Sequence, residues 1–120
     1  MALINKILII DDETVFCEAL KNHLSQKGNN VRIYNSYHEF QTESDVSQYD
    51  LILLDLHLRD MKGLELLQIV LDGHPELKVV IISSYLDRKN ISQAKKLGAY
   101  DCISKSSQMF KILDQLLESI

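Results

Sequence analysis

The sequence has no tryptophan, one proline, four glycines and two cysteines in 120 residues. Cys17 and Cys102 have neither metal-ligand spacing nor the density of a disulfide scaffold, so a reducing, cytoplasmic setting is expected, with both thiols in the core. There is no internal linker, low-complexity tract or repeat. No run approaches the roughly 18 apolar residues of a membrane helix. The start, Met1 to Lys6, lacks the long apolar region of a signal peptide. Positive charge is also short: a net charge of -4 argues against a general nucleic-acid-binding surface. What is present is ordinary for a globular protein, 46% hydrophobic and 25% charged. One domain over residues 1–120 is expected, with nothing left after Ile120 for a second, and burial of roughly two-thirds of the surface its unfolded chain would expose.

The apolar residues come in short runs that end in polar chemistry. Lys6-Ile7-Leu8-Ile9-Ile10 stops at Asp11-Asp12-Glu13; Leu51-Ile52-Leu53-Leu54 stops at Asp55; Val79-Val80-Ile81-Ile82 stops at Ser83-Ser84; Cys102-Ile103-Ser104 runs into Lys105. Continuous runs of this length read as strands buried on both faces. Val31-Arg32-Ile33-Tyr34 alternates as a further strand would. Between the runs lie helical periods. Phe16, Leu20 and Leu24, beside Val15 and Ala19, form one apolar face, with Gly28 as the stop. Ser36 with Glu39 three residues on is a capping-box pattern opening a second helix, short or loosely packed because Tyr37, Phe40 and Val46 are sparse. Gly63 precedes the stripe Leu64, Leu66, Leu67, Ile69, Val70 and Leu71, closed by Gly73 and Pro75. Ile91, Ala94 and Leu97 mark a short helix ending at Gly98. After Ser106 or Ser107, the residues Met109, Phe110, Ile112, Leu113, Leu116, Leu117 and Ile120 form a stripe wider than one sheet face needs.

Strands alternating with helices, all of them buried in type, predict a three-layer α/β fold: a doubly wound five-stranded parallel sheet in the flavodoxin-like order 2-1-3-4-5. Its switch point falls between the first and third strands, which end in Asp11-Asp12 and in Asp55. Asp11, Asp12, Asp55, Ser83 and Lys105 then converge on one sheet edge. Clustered carboxylates repel one another, which raises their pKa values unless a cation intervenes. Hard oxygen donors of this kind suit Mg2+, with Mn2+ as an alternative. A metal, an ammonium and a hydroxyl could together balance a phosphoryl group on Asp55.

With these residues together, the chain resembles the receiver (CheY-like) domains of bacterial two-component response regulators. The resemblance runs through Ile9-Ile10-Asp11-Asp12-Glu13, Leu53-Leu54-Asp55-Leu56, Met61-Lys62-Gly63, Ile82-Ser83-Ser84, Gly98-Ala99 and Lys105. It implies that Asp55 is the phosphoacceptor and that Asp11, Asp12, Asp55 and the backbone carbonyl of His57 hold Mg2+. It further implies Ser83 as the switch hydroxyl and Lys105 as the phosphate counterion. The phosphodonor would be a histidine kinase or a histidine phosphotransfer protein, and chemistry would be limited to self-catalysed phosphoryl transfer and autodephosphorylation. Output would pass through the face of the fourth helix, fifth strand and last helix, to a partner or a second copy, without direct contact with nucleic acid or membrane. Arg88, Lys89, Lys95 and Lys96 give the fourth helix a basic side. His57 and Tyr85, two residues after Asp55 and Ser83, are expected at the rim as tuners of the dephosphorylation rate.

Three positions depart from the family. Cys102 stands where a switching aromatic is usual, with Tyr85 or Tyr100 as replacements. Arg59 stands where the loop proline is usual, which is expected to free the loop backbone and add a charge near the site, and Ser106 stands where a cis-proline is often found. Two other readings are a degenerate receiver that only binds partners and an aspartyl-phosphate phosphatase. A flavodoxin-like cofactor site is opposed by the acidic loop after the first strand.

Overall fold

The computed structural model describes residues 6–120; the expectation for the first residues, 1–5, lies outside that span. The elements are β1 (Lys6–Ile10), α1 (Thr14–Gln26), β2 (Asn30–Tyr34), α2 (Tyr37–Phe40), β3 (Leu51–Asp55), α3 (Gly63–Gly73), β4 (Val79–Ser83), α4 (Arg88–Leu97), β5 (Asp101–Ser104) and α5 (Met109–Ser119). A 3-10 turn lies at Val46–Gln48. All the pairings are parallel, and the strand order is β2-β1-β3-β4-β5, as expected. No helix among the described residues is long and apolar enough to cross a membrane.

The two-residue alternation of the strands divides the core. Leu8, Ile10, Ile52 and Leu54 pack with Leu66, Leu67, Val70 and Leu71 of α3 on one side of the sheet. Ile7, Ile9, Leu51 and Leu53 pack on the other side with Cys17, Leu20 and Leu24 of α1 and with Met109 and Leu113 of α5. Each fully buried Leu or Ile contributes about 1.5–3 kcal/mol relative to exposure. Three central strands buried over nearly their whole length therefore hold the sheet's polar end rigidly.

The helices depart from the periodicity in detail, while the shortness of α2 and the overwide stripe of α5 are as expected. The buried face of α1 is Cys17, Leu20 and Leu24 with Phe16 half-buried, whereas Val15 is 84% exposed and Ala19 is also exposed. The helix needs only a narrow arc against the sheet, and positions 15 and 19 fall outside it. In α3, Ile69 is 50% exposed, and in α5, Ile112 is 43% exposed, so both stripes extend past the sheet. The helix α2 is a single turn: Ser36 Oγ accepts from the Glu39 amide at 3.0 Å, but the Glu39 carboxylate returns to the amide of Asn35, at 2.7 Å, rather than to that of Ser36. Its first amides, Tyr37 N–H and His38 N–H, donate to the Asp60 carboxylate at 3.0 and 2.9 Å, so the loop after β3 caps α2 from outside. The described peptide bonds are all trans, Lys105–Ser106 included.

Candidate functional site

The register Ile10↔Leu54 ends β1 and β3 side by side, and the next residue of each strand is an aspartate. Carboxylate oxygens of Asp11, Asp12 and Asp55 all lie within 4.8 Å of one another. Asp11 is completely buried, and Asp55 is 4% exposed. The Asp11 backbone is fully engaged. Asp11 N–H donates to Tyr34 O at 3.0 Å, and its carbonyl accepts from Asn35 Nδ2 at 2.9 Å and from Cys17 Sγ at 3.2 Å. Asp11 Oδ1 accepts from the Glu13 amide at 2.9 Å, and Asp55 Oδ1 accepts from the His57 amide at 3.2 Å.

Lys105 enters from the end of β5, where its amide donates to Ser83 O at 2.7 Å. Its side chain is only 7% exposed, with Nζ 2.7 Å from Asp11 Oδ2 and 3.7 Å from Asp55 Oδ2. Nζ also bonds the Glu13 carboxylate and sits 4.5 Å over the Phe16 ring. Burial pushes Asp11 up to about 6, against the downward pull of Lys105 and the Glu13 amide, and the Asp55 charge adds to the rise. Burial likewise raises Asp55, opposed by the His57 amide and Lys105. Burial works to lower Lys105, but the Asp11 and Glu13 carboxylates outweigh it and hold its ammonium above the usual range. Carboxylate repulsion, expected to raise these values, is present, but desolvation exceeds it.

The site fits a divalent cation. Although Nζ is 2.7 Å away, Asp11 Oδ2 takes no hydrogen bond of ordinary geometry, so a fully buried carboxylate oxygen is left short of donors. The carboxylates of Asp11, Asp12, Glu13 and Asp55, set against only Lys105 and the exposed Arg59, leave excess negative charge at the switch point of the sheet.

Residues 7–117 match the family described as Response regulator receiver domain. This chain is a member of the response regulator receiver family. Transcriptional regulatory protein ComA of Bacillus subtilis is 32% identical over 111 residues, which span 89% of this chain and 52% of ComA. The chain therefore spans about half the length of that curated relative. A receiver domain protein from Methanospirillum hungatei superposes with a TM-score of 0.86 at 28% identity, covering 97% of this chain and 93% of that one. A Burkholderia pseudomallei response regulator, solved with a phosphorylated aspartic acid, a calcium ion and citrate, superposes with a TM-score of 0.81 at 28% identity, covering 91% of this chain and 64% of that one.

Of the remaining expected residues of this receiver domain, Ser83, His57, Tyr85 and Arg59 lie at the same edge, whereas Cys102 sits inside β5 and Tyr100 at its far end, where its amide meets Val79 at the start of β4. Ser83 is fully buried at the end of β4, and its hydroxyl is occupied by one residue: it accepts from the Tyr85 amide at 3.0 Å and donates to the Tyr85 carbonyl at 3.1 Å. The Tyr85 ring is 64% exposed, and His57 is also exposed, both at the rim. Cys102 is half-buried and packs against the α3 side of the core, where burial raises its thiol. Tyr100, 42% exposed, lies on the surface next to β5. Arg59 does bring a charge to the site, with Nε 3.5 Å from Asp12 Oδ2.

Two contributors carry no individual signal in the sequence. Glu13 appeared only as the tail of the acidic run, yet it shares Lys105 with Asp11. Phe16 belongs by its spacing to the helix face, yet its ring also supports the ammonium. Nothing in the sequence marks either residue, because the burial of Lys105 that gathers them is a product of the fold.

Proposed function

We propose that this receiver domain takes a phosphoryl group onto Asp55 from a histidine kinase or histidine phosphotransfer protein. The observation that carries the reading is the nearly buried Asp55 carboxylate, 3.7 Å from Lys105 Nζ and within 4.8 Å of the Asp11 and Asp12 oxygens. A bound Mg2+ would supply charge neutralisation for the incoming phosphoryl oxygens; Asp11, Asp12 and Asp55 would hold it. In the transfer, the N–P bond of the donor phosphohistidine, protonated on its other ring nitrogen, breaks with its electron pair going to nitrogen as an Asp55 oxygen forms the new O–P bond, so the imidazole leaves as the neutral base. Lys105 faces the developing charge with an ammonium that stays protonated at neutral pH. The phosphorylated aspartic acid of the Burkholderia relative supports the same chemistry here.

Ser83 is the proposed switch: its hydroxyl would exchange the Tyr85 backbone for a phosphoryl oxygen, moving the β4–α4 loop and with it the α4–β5–α5 face. Incubation with acetyl phosphate and Mg2+ should add one phosphoryl group to the parent by intact-mass measurement and none to Asp55→Asn. Labelling that survives in Asp55→Asn would overturn the assignment. The same domain with beryllofluoride and Mg2+, run on a sizing column, reads whether the switched face binds a second copy. His57 and Tyr85 follow Asp55 and Ser83 by two residues and are both exposed, and we assign them to shielding the acyl phosphate from water. His57→Ala and Tyr85→Ala should therefore lose the label faster, by about tenfold, equivalent to about 1.4 kcal/mol of barrier; decay at the parent's rate would end that role.

A further inference from the structure

We infer that Arg59 sets how tightly this domain takes its divalent cation, by competing with the ion for Asp12. The inference rests on the Mg2+ reading above and adds to it a residue outside the acidic set. The carboxylates do not share one counter-charge: Asp11 and Asp55 face Lys105 Nζ at 2.7 and 3.7 Å, while Asp12 Oδ2 faces Arg59 Nε at 3.5 Å. The two cations differ in kind. Lys105, 7% exposed, is committed to the interior, whereas the Arg59 side chain is 89% exposed and free to withdraw.

Its backbone, in contrast, is pinned. Leu58 on one side is buried at 8% exposure, and Asp60 on the other holds the Tyr37 and His38 amides at 3.0 and 2.9 Å. The bridge between His57 and Lys62 closes the loop at its base. The anchored loop thus delivers a guanidinium to the mouth of the acidic site, and a guanidinium keeps its charge at any pH the protein experiences. A cation binding to Asp12 must displace this charge or sit beside it. In water-like surroundings, a unit charge about 6 Å from a divalent ion changes binding by about tenfold at low salt, and salt screens the effect.

Titration calorimetry of metal-free protein with MgCl2, on the parent, Arg59→Ala, Arg59→Lys and Lys96→Ala, tests this. Lys96 is exposed in the last turn of α4, at the opposite end of the helix from the sheet's polar edge, so its removal reports any general effect of net charge. Arg59→Ala should bind Mg2+ about three- to tenfold tighter at about 10 mM salt and lose most of that gain at about 500 mM salt. Arg59→Lys should stay near the parent, and Lys96→Ala should not differ from it. Mg2+ binding by the parent that Arg59→Ala leaves unchanged, or a gain equalled by Lys96→Ala, overturns the inference and leaves the Mg2+ reading intact. Absence of Mg2+ binding in all four proteins overturns the Mg2+ reading itself and the inference with it.

Discussion

Gly63→Ala should cost on the order of 3 kcal/mol or more of stability, or prevent folding altogether. A Cβ built on Gly63 would lie 2.5 Å from the Asp55 carbonyl oxygen, 2.6 Å from Leu56 Cα and 2.7 Å from the Leu56 carbonyl oxygen. All three are backbone atoms, and none can rotate away. They belong to the buried exit of β3, where the Leu56 amide donates to Ile82 O at 3.1 Å and the Leu56 carbonyl accepts from the Gly63 amide at 2.9 Å. Relief requires moving either the end of β3 or the start of α3, and α3 is fixed by Leu66 and Leu67, both fully buried. Any variant protein that does fold should therefore also label poorly at Asp55, because the strand end that presents the carboxylate has shifted. Gly73→Ala is the matched control: a Cβ there meets nothing within 4 Å, so urea unfolding should show no loss of stability. A Gly63→Ala midpoint equal to the parent's would mean that the backbone at this turn yields more easily than its hydrogen bonds imply.

Gly63 shows what was legible in the chain and what was not. As a sequence position it marked the start of α3, because local signals such as helix period and cap residue are read from neighbours in the chain. Its contact with Asp55 depends on how a loop closes, and no periodicity records that. The strands were legible because Leu51 to Leu54 and Val79 to Ile82 are short apolar runs bounded by polar residues, a length and flanking that suit a buried strand rather than a helix, and the fold buries both completely. The topology followed from connection rules, and it brought Asp11, Asp12, Asp55, Ser83 and Lys105 to one edge. The partners of Lys105 were harder, since Glu13 lies 92 residues from it and a charged residue after a strand gives no sign of which anion it meets. Nor could the Ser83 hydroxyl's engagement by the Tyr85 backbone be read, because a serine offers several rotamers with similar local energy. Val15 illustrates the opposite error, an apolar residue counted as core that the fold leaves in water.

In metal-free buffer, the stability of this domain should fall as pH rises from about 4 to about 7, and Asp11 should carry much of the slope. Its carboxyl sits at about 6 in the fold, against 3.8 in the unfolded chain. Between those values the folded state holds a proton that the unfolded state has released, so unfolding becomes easier with each step up in pH. Below both values the two states are protonated alike, above both they are ionised alike, and the slope vanishes at either end. A shift of this size corresponds to a full swing of roughly 3 kcal/mol, of which about 2 kcal/mol falls between pH 4.5 and pH 7. Asp55, also raised, adds to the same direction. Asn at position 11 keeps the shape of the side chain without the titration, so the free-energy difference between parent and Asp11→Asn should change by about 2 kcal/mol over that range. Contributions from the exposed acids cancel in that difference. Mg2+ should reverse the trend: at a free concentration one hundred times its Kd, it stabilises the folded state by about 2.7 kcal/mol. That gain should fade below pH 6, where the metal must first displace a proton from Asp11. Urea unfolding with EDTA and with excess Mg2+, at a series of pH values, checks each step. Parallel pH profiles for parent and Asp11→Asn would show that burial of Asp11 imposes no such cost. A Mg2+ gain that persisted undiminished at pH 4.5 would place the cation on carboxylates other than Asp11.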